Sequence, residues 1–142
     1  MAPPAAAAGV YACTDYQKKE FDTSGYNTDI SVRLCVYQEQ STSSTKRYQA
    51  TAVFSWQDGA GLKKFNNLDM SLRLEKSDRA IATATCDYTS KVNSVEGDYV
   101  ICRTAWVNGS VNKMSADGGV YYDIADDGEG SALWDLGGTA WR

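Results

Sequence analysis

The sequence predicts an all-β fold: a single-domain β-sandwich of about eight to ten mostly antiparallel strands, stapled by two disulfides and preceded by a flexible N-terminal arm. Three observations lead there. From Val10 onward apolar residues recur with period 2 rather than 3.6. Turn-forming Gly, Asp, Asn and Ser clusters interrupt that pattern at regular spacing. The four cysteines are widely spaced, with no CxxC pair. At 142 residues the chain suits one domain with a real core.

The division is residues 1–9 as arm and 10–142 as β domain. The opening MAPPAAAAG has no periodicity, and Pro3 and Pro4 favour polyproline II. In ISVRLCVY, Ile30, Val32, Leu34 and Val36 face one way and Ser31, Arg33, Cys35 and Tyr37 the other. QSTSST is a polar connector. RYQATAVFSW puts Tyr48, Ala50, Ala52, Phe54 and Trp56 on one face, and Gln57 to Gly61 turns the chain. LDMSLRLEK alternates again, with Leu68, Met70, Leu72 and Leu74 inward; a short helical turn is allowed around 60–66. RAIATATCDY and DYVICRTAWV are further strands, separated by a polar loop. Asn108–Gly109 and Asp117–Gly118–Gly119 read as hairpin turns, GVYYDI as a strand, DDGEG as a turn, and SALWDL and GTAW as terminal strands.

Cys13, Cys35, Cys86 and Cys102 allow three pairings. Cys13 and Cys35 are symmetric about the turn signal Ser24–Gly25, and Cys86 and Cys102 about Ser94. If each interval closes a hairpin, partners face each other across adjacent strands, which gives 13–35 and 86–102. Each bond would stabilise by about 3 kcal/mol on loop-entropy arithmetic. Structural disulfides imply an oxidising compartment. The small-residue start resembles the region around a signal-peptidase site, so the residues after Met1 read as a mature N-terminus of a secreted protein.

Composition narrows the chemistry. There is no histidine, which removes Ser–His–Asp and Cys–His nucleophile arrangements and His-bearing metal sites. The net charge of −4 and the absence of a basic block argue against nucleic acid, and no apolar run is long enough to insert in a membrane. Lys18–Lys19 and Lys63–Lys64 read as solvated turn pairs. Asp123, Asp126, Asp127 and Glu129 are weak calcium candidates. They fail the EF-hand pattern, because counting from Asp123 position 3 is Ala125 and position 12 is Trp134. A solvated turn explains them as well. Nothing fixes two carboxylates across a cleft as a glycosidase requires. The expectation is therefore a non-enzyme without a cofactor.

Binding surfaces remain. Trp106, Tyr121, Tyr122, Trp134 and Trp141 concentrate late in the chain, and an exposed row of them would suit sugar faces or a protein partner. Core filling is the alternative, favoured for Trp56 and Trp106; the adjacent Tyr121 and Tyr122 must point to opposite faces. The arm, Ala2, Pro3, Pro4, Ala5, Ala6, Ala7, Ala8, Gly9 and Val10, is the other candidate. Its small side chains permit close backbone approach to a groove, and proline lowers the entropy lost on ordering.

The alanine- and proline-rich start, WQDGAGLKKFNNLDMSLRL, CDYTSKVNSVEGDYVIC and SADGGVYYDIADDGEGSALWDL together resemble a family. It is that of the small secreted adaptor subunits of Streptomyces umbrella toxin particles. The resemblance implies a non-catalytic adaptor. Its segment from Ala2 to Val10 would enter a cleft of a lectin-like subunit, while its β domain holds a repeat-containing toxin subunit. From the residues alone, an inhibitor of an extracellular hydrolase or a carbohydrate-binding module are the alternatives.

Overall fold

The structure is a computed structural model, and it describes residues 9–42, 45–109 and 113–140. Two antiparallel sheets face each other. The first is built on two long central strands, β3 (Thr28–Gln40) and β4 (Lys46–Gln57), paired from Asp29↔Gln57 to Gln40↔Lys46. One flank of β3 is covered by β1 (Gly9–Cys13) and then β2 (Gln17–Phe21). The outer flank of β4 is covered likewise by β7 (Asp98–Arg103) and β8 (Val107–Gly109). The second sheet runs β10 (Ala132–Asp135), β9 (Met114–Ile124), β5 (Phe65–Lys76), β6 (Arg79–Asp87).

The inward stripes meet between the sheets. Ile30, Val32, Leu34 and Val36 lie with Tyr48, Ala50, Ala52, Phe54 and Trp56 against Leu68, Met70, Leu72 and Leu74, all buried in one cluster. Period-2 alternation produces this because each sheet turns only one face to the core. Phe21 fills the end nearest β10, stacking edge-on against Phe65, Tyr122 and Trp134.

Both predicted disulfides are present, for different reasons. Cys13 and Cys35 oppose each other across β1 and β3, Cα atoms 4.1 Å apart. The neighbouring Thr14 N–H donates to the Leu34 carbonyl, so the cysteines occupy the closely spaced, non-hydrogen-bonded position. Cys86 and Cys102 are not hairpin partners. Cys86 is in β6 and Cys102 in β7, so this bond joins the two sheets, with Cα atoms 6.0 Å apart. Symmetric spacing misleads here because the intervening segment carries the chain from one sheet to the other. It contains a six-residue helix, α1 (Thr89–Ser94), where the sequence reads as a polar loop; one turn and a half is too short to show a helical period. Asn93 of α1 makes it a clamp. Its Oδ1 accepts from the Lys64 and Phe65 N–H groups, and its Nδ2 donates to the Phe65 carbonyl.

Two turn assignments are corrected. Asn108–Gly109 belongs to β8, paired with Lys46 and Arg47. Asp117–Gly118–Gly119 lies inside β9, opposite Arg73, Leu72 and Ser71. There the glycines permit close strand approach rather than a reversal. DYVICRTAWV is two strands, because the chain leaves the ladder at 104–106. GTAW forms no strand over 138–140, residue 141 being outside the described set. Residues 60–64 are turn, not helix. The lysine pairs differ too. Lys18 and Lys19 are in β2, and Lys64 is buried, its ammonium donating to the carbonyls of Ser24 and Tyr26. Those carbonyls flank Gly25, whose φ of +74° forms the predicted turn.

A hydrogen-bond relay seats α1 on β5. The Leu68 N–H donates to Thr89 Oγ1, whose hydroxyl donates to Asp87 Oδ1; the Thr89 N–H donates to the same oxygen. These bonds, the side-chain one first, hold the Asp87 carboxyl below the usual aspartate range. A depressed carboxylate stabilises the fold above its unfolded pKa and loses that contribution as pH falls through its folded value. Asp87→Asn is therefore expected to lower the unfolding free energy measured in urea near neutral pH, by less than about 1 kcal/mol because the side chain is exposed. The difference should close in acid; a pH-independent difference would count against the relay.

Candidate functional site

The sequence-predicted candidates do not converge. Ala2, Pro3, Pro4, Ala5, Ala6, Ala7 and Ala8 lie outside the described residues. Gly9 and Val10 form the start of β1, paired with Gln38 and Tyr37, and both are exposed. The acidic candidates form a turn. Asp126 takes a positive φ of 63°, and Asp127 Oδ1 accepts from the Glu129 N–H. Asp123 stands back in β9 opposite Asn67. Among the described residues no group of three or more His, Cys, Asp or Glu side chains is placed to hold a metal ion.

The late aromatics scatter as well. Tyr121 faces solvent on the second sheet while Tyr122 packs on Phe21. Trp134 is half-buried against the same ring. Trp106, expected in the core, is half-buried beneath the Arg47 guanidinium, 5.0 Å from its centroid. Trp141 lies outside the described residues.

The outer face of the first sheet does form a site. Because the inward stripe takes even positions of β3 and β4, the odd ones face out. In register across β2, β3, β4 and β7 they give the row Lys18, Ser31, Ser55, Tyr99. One step along stand Glu20, Asp29 and Gln57; one step the other way, Arg33, Val53 and Ile101. Two serines in the middle of a row of long side chains leave a depression, and a groove of about 890 Å³ opens over them. Tyr16 forms one wall, with the Arg33 guanidinium 5.6 Å from its ring, and Tyr99 the other. Gln57, Gly97 and Asp98 line it further along.

This face also carries exposed apolar side chains. Among the described residues nine large apolar side chains are exposed, and Val10, Tyr16, Tyr99 and Ile101 are on it. Charge around the groove is mixed, with Lys18 and Lys19 against Glu20, Asp29 and Asp98, so it offers no field for a polyanion. Flat rings over small polar floor residues instead suit a protein loop or extended segment, with rings as anchors and hydroxyls as hydrogen-bonding partners. Sequence reasoning placed Ser31 and Arg33 on the outer face but could not find the groove. It depends on which strands lie side by side, and Tyr16 and Tyr99 come to line one groove only through the order β2, β3, β4, β7. No protein-family model, no curated protein and no solved structure matches the chain.

Proposed function

We propose that this chain is a secreted, non-catalytic adaptor that binds one protein partner in the groove on its outer sheet face and a second through its N-terminal arm. The observation that carries the reading is the groove itself: two exposed tyrosines flanking a serine floor, on the face that holds Val10 and Ile101. Two disulfides suit an extracellular or other oxidising location. Val10 and Gly9 start at the edge of the same sheet, which would set the two partners side by side. The family resemblance names partners for these two surfaces: a lectin-like subunit for Ala2 to Val10 and a repeat-containing toxin subunit for the sheet.

Affinity capture from the native secretome, followed by mass spectrometry, tests it. Tyr16→Ala with Tyr99→Ala is expected to weaken capture of one partner by roughly thirty-fold or more, as loss of an aromatic anchor does. Both residues are exposed, so the melting temperature should hold. Deleting residues 2–8 should remove the other partner and leave the first. Full capture by both variants would reject the reading, as would turnover of a captured small molecule by the purified protein.

A further inference from the structure

Among the described residues the fold leaves four strand edges, and three of them are blunted. The β1–β2 edge is interrupted at 14–16 and carries Lys18, Lys19 and Glu20. The β7–β8 edge is interrupted at 104–106. β10 has four residues. Interruption, charge and shortness are the usual means by which sheets avoid pairing with other chains. β6 has none of these along most of its length. It runs nine residues, and the seven from Ala80 to Cys86 are uncharged and lack proline.

The hydrogen-bonding phase of that edge follows from its ladder. The Tyr88 N–H donates to the Leu68 carbonyl, and the pairs Met70↔Cys86 and Leu72↔Ala84 continue in step. Cys86 and Ala84 therefore spend their backbone groups on β5, while Thr83 and Thr85 direct theirs away from the sheet. Their side chains are exposed, as is that of Ile81. A bulge at Ala80–Ile81 bends only the far end of the strand.

We infer that β6 pairs antiparallel with β6 of a second copy of this chain, about a two-fold axis at Thr83. That register sets Thr83 against Thr83, Ala82 against Ala84 and Ile81 against Thr85, so small or uncharged residues meet throughout. Past the bulge the ladder ends, and there the long exposed side chain of Arg79 of each copy comes within reach of Asp87 of the other, one opposite-charge pair at each end. The sequence from 79 to 87 is thus complementary to itself in reverse, as a closed two-fold interface requires. The two four-stranded sheets become one continuous sheet. Cys86 points inward to Cys102, so the cross-sheet disulfide leaves the edge open.

Sedimentation velocity from low to high micromolar concentration tests this. Wild type is expected to show a concentration-dependent dimer, and Thr83→Lys, which opposes two ammonium groups, to raise its dissociation constant at least about tenfold. Thr83→Cys supplies a second readout: directly opposed residues are close enough for mild oxidation to yield a dimer linked 83 to 83, identified by peptide mass spectrometry. Circular dichroism confirms that both variants fold. A wild type that stays monomeric throughout overturns the inference. So does a dimer that Thr83→Lys leaves unchanged and Thr83→Cys does not link.

Discussion

Gly118→Ala is expected to destabilise the domain by about 3 kcal/mol, a large loss for one added methyl. Gly118 lies inside β9, where it pairs with Leu72. A Cβ there would sit 2.3 Å from the Ser71 carbonyl oxygen and 3.0 Å from Met70 Cε. The methionine can shift, but the carbonyl cannot. It belongs to β5, which is hydrogen-bonded to β6 on one side and β9 on the other. The strands must separate, and the core stripe from Leu68 to Leu74 sits on that separation. Gly130→Ala is the control, since nothing lies within 4 Å of a Cβ at that position. Thermal and urea unfolding check the pair. A Gly118→Ala protein as stable as the control would mean that β9 and β5 are not in the contact described.

Replacing Cys86 and Cys102 together by alanine is expected to cost about 3 kcal/mol in urea unfolding, as is the corresponding change at Cys13 and Cys35. The loops closed are similar, with separations of 16 and 22 residues, and loop entropy depends only weakly on length. Any further difference reports on position. The Cys13–Cys35 bond reinforces a strand pair that hydrogen bonds already hold, whereas Cys86–Cys102 links two sheets otherwise joined by side-chain packing. The Cys86/Cys102 double variant is therefore expected to lose more in its urea midpoint than the Cys13/Cys35 one. An unchanged midpoint would show the cross-sheet bond to be dispensable.

The inward stripes were readable in the sequence because burial on one face imposes alternation, and alternation survives without knowledge of neighbours. Ile30 to Val36, Tyr48 to Trp56 and Leu68 to Leu74 all lie where their period puts them. Glycine was harder. Asn108–Gly109 and Asp117–Gly118–Gly119 have the composition of turns, yet their glycines answer to backbone or side chains packed across them: Met114 for Gly109, Ser71 for Gly118, Leu133 for Gly119. Lys64 escaped notice because its burial depends on two carbonyls some forty residues earlier. The disulfide pairing was legible but not its geometry, since equal spacing about Ser94 fits a hairpin and a crossover alike. Of the candidate site, the serines and the arginine facing outward could be read from β3 and β4. The walls could not, because Tyr16 and Tyr99 are 83 positions apart and come to line one groove only through strand order.

The pairing of β5 with β9 has a consequence in time. β2, β3 and β4 follow one another along the chain, and β2 pairs with β3 and β3 with β4, so this part of the molecule can assemble as it is made. β5 finds β6 at once but waits for β9 until α1, β7 and β8 have been laid down. Such long-range pairings place folding in the slow range, milliseconds to seconds, for domains of this kind. During that delay the leucines of β5 have one surface ready to receive them: the inner face of β3 and β4, completed first. The earlier half of the chain thus serves as the template on which the later half closes.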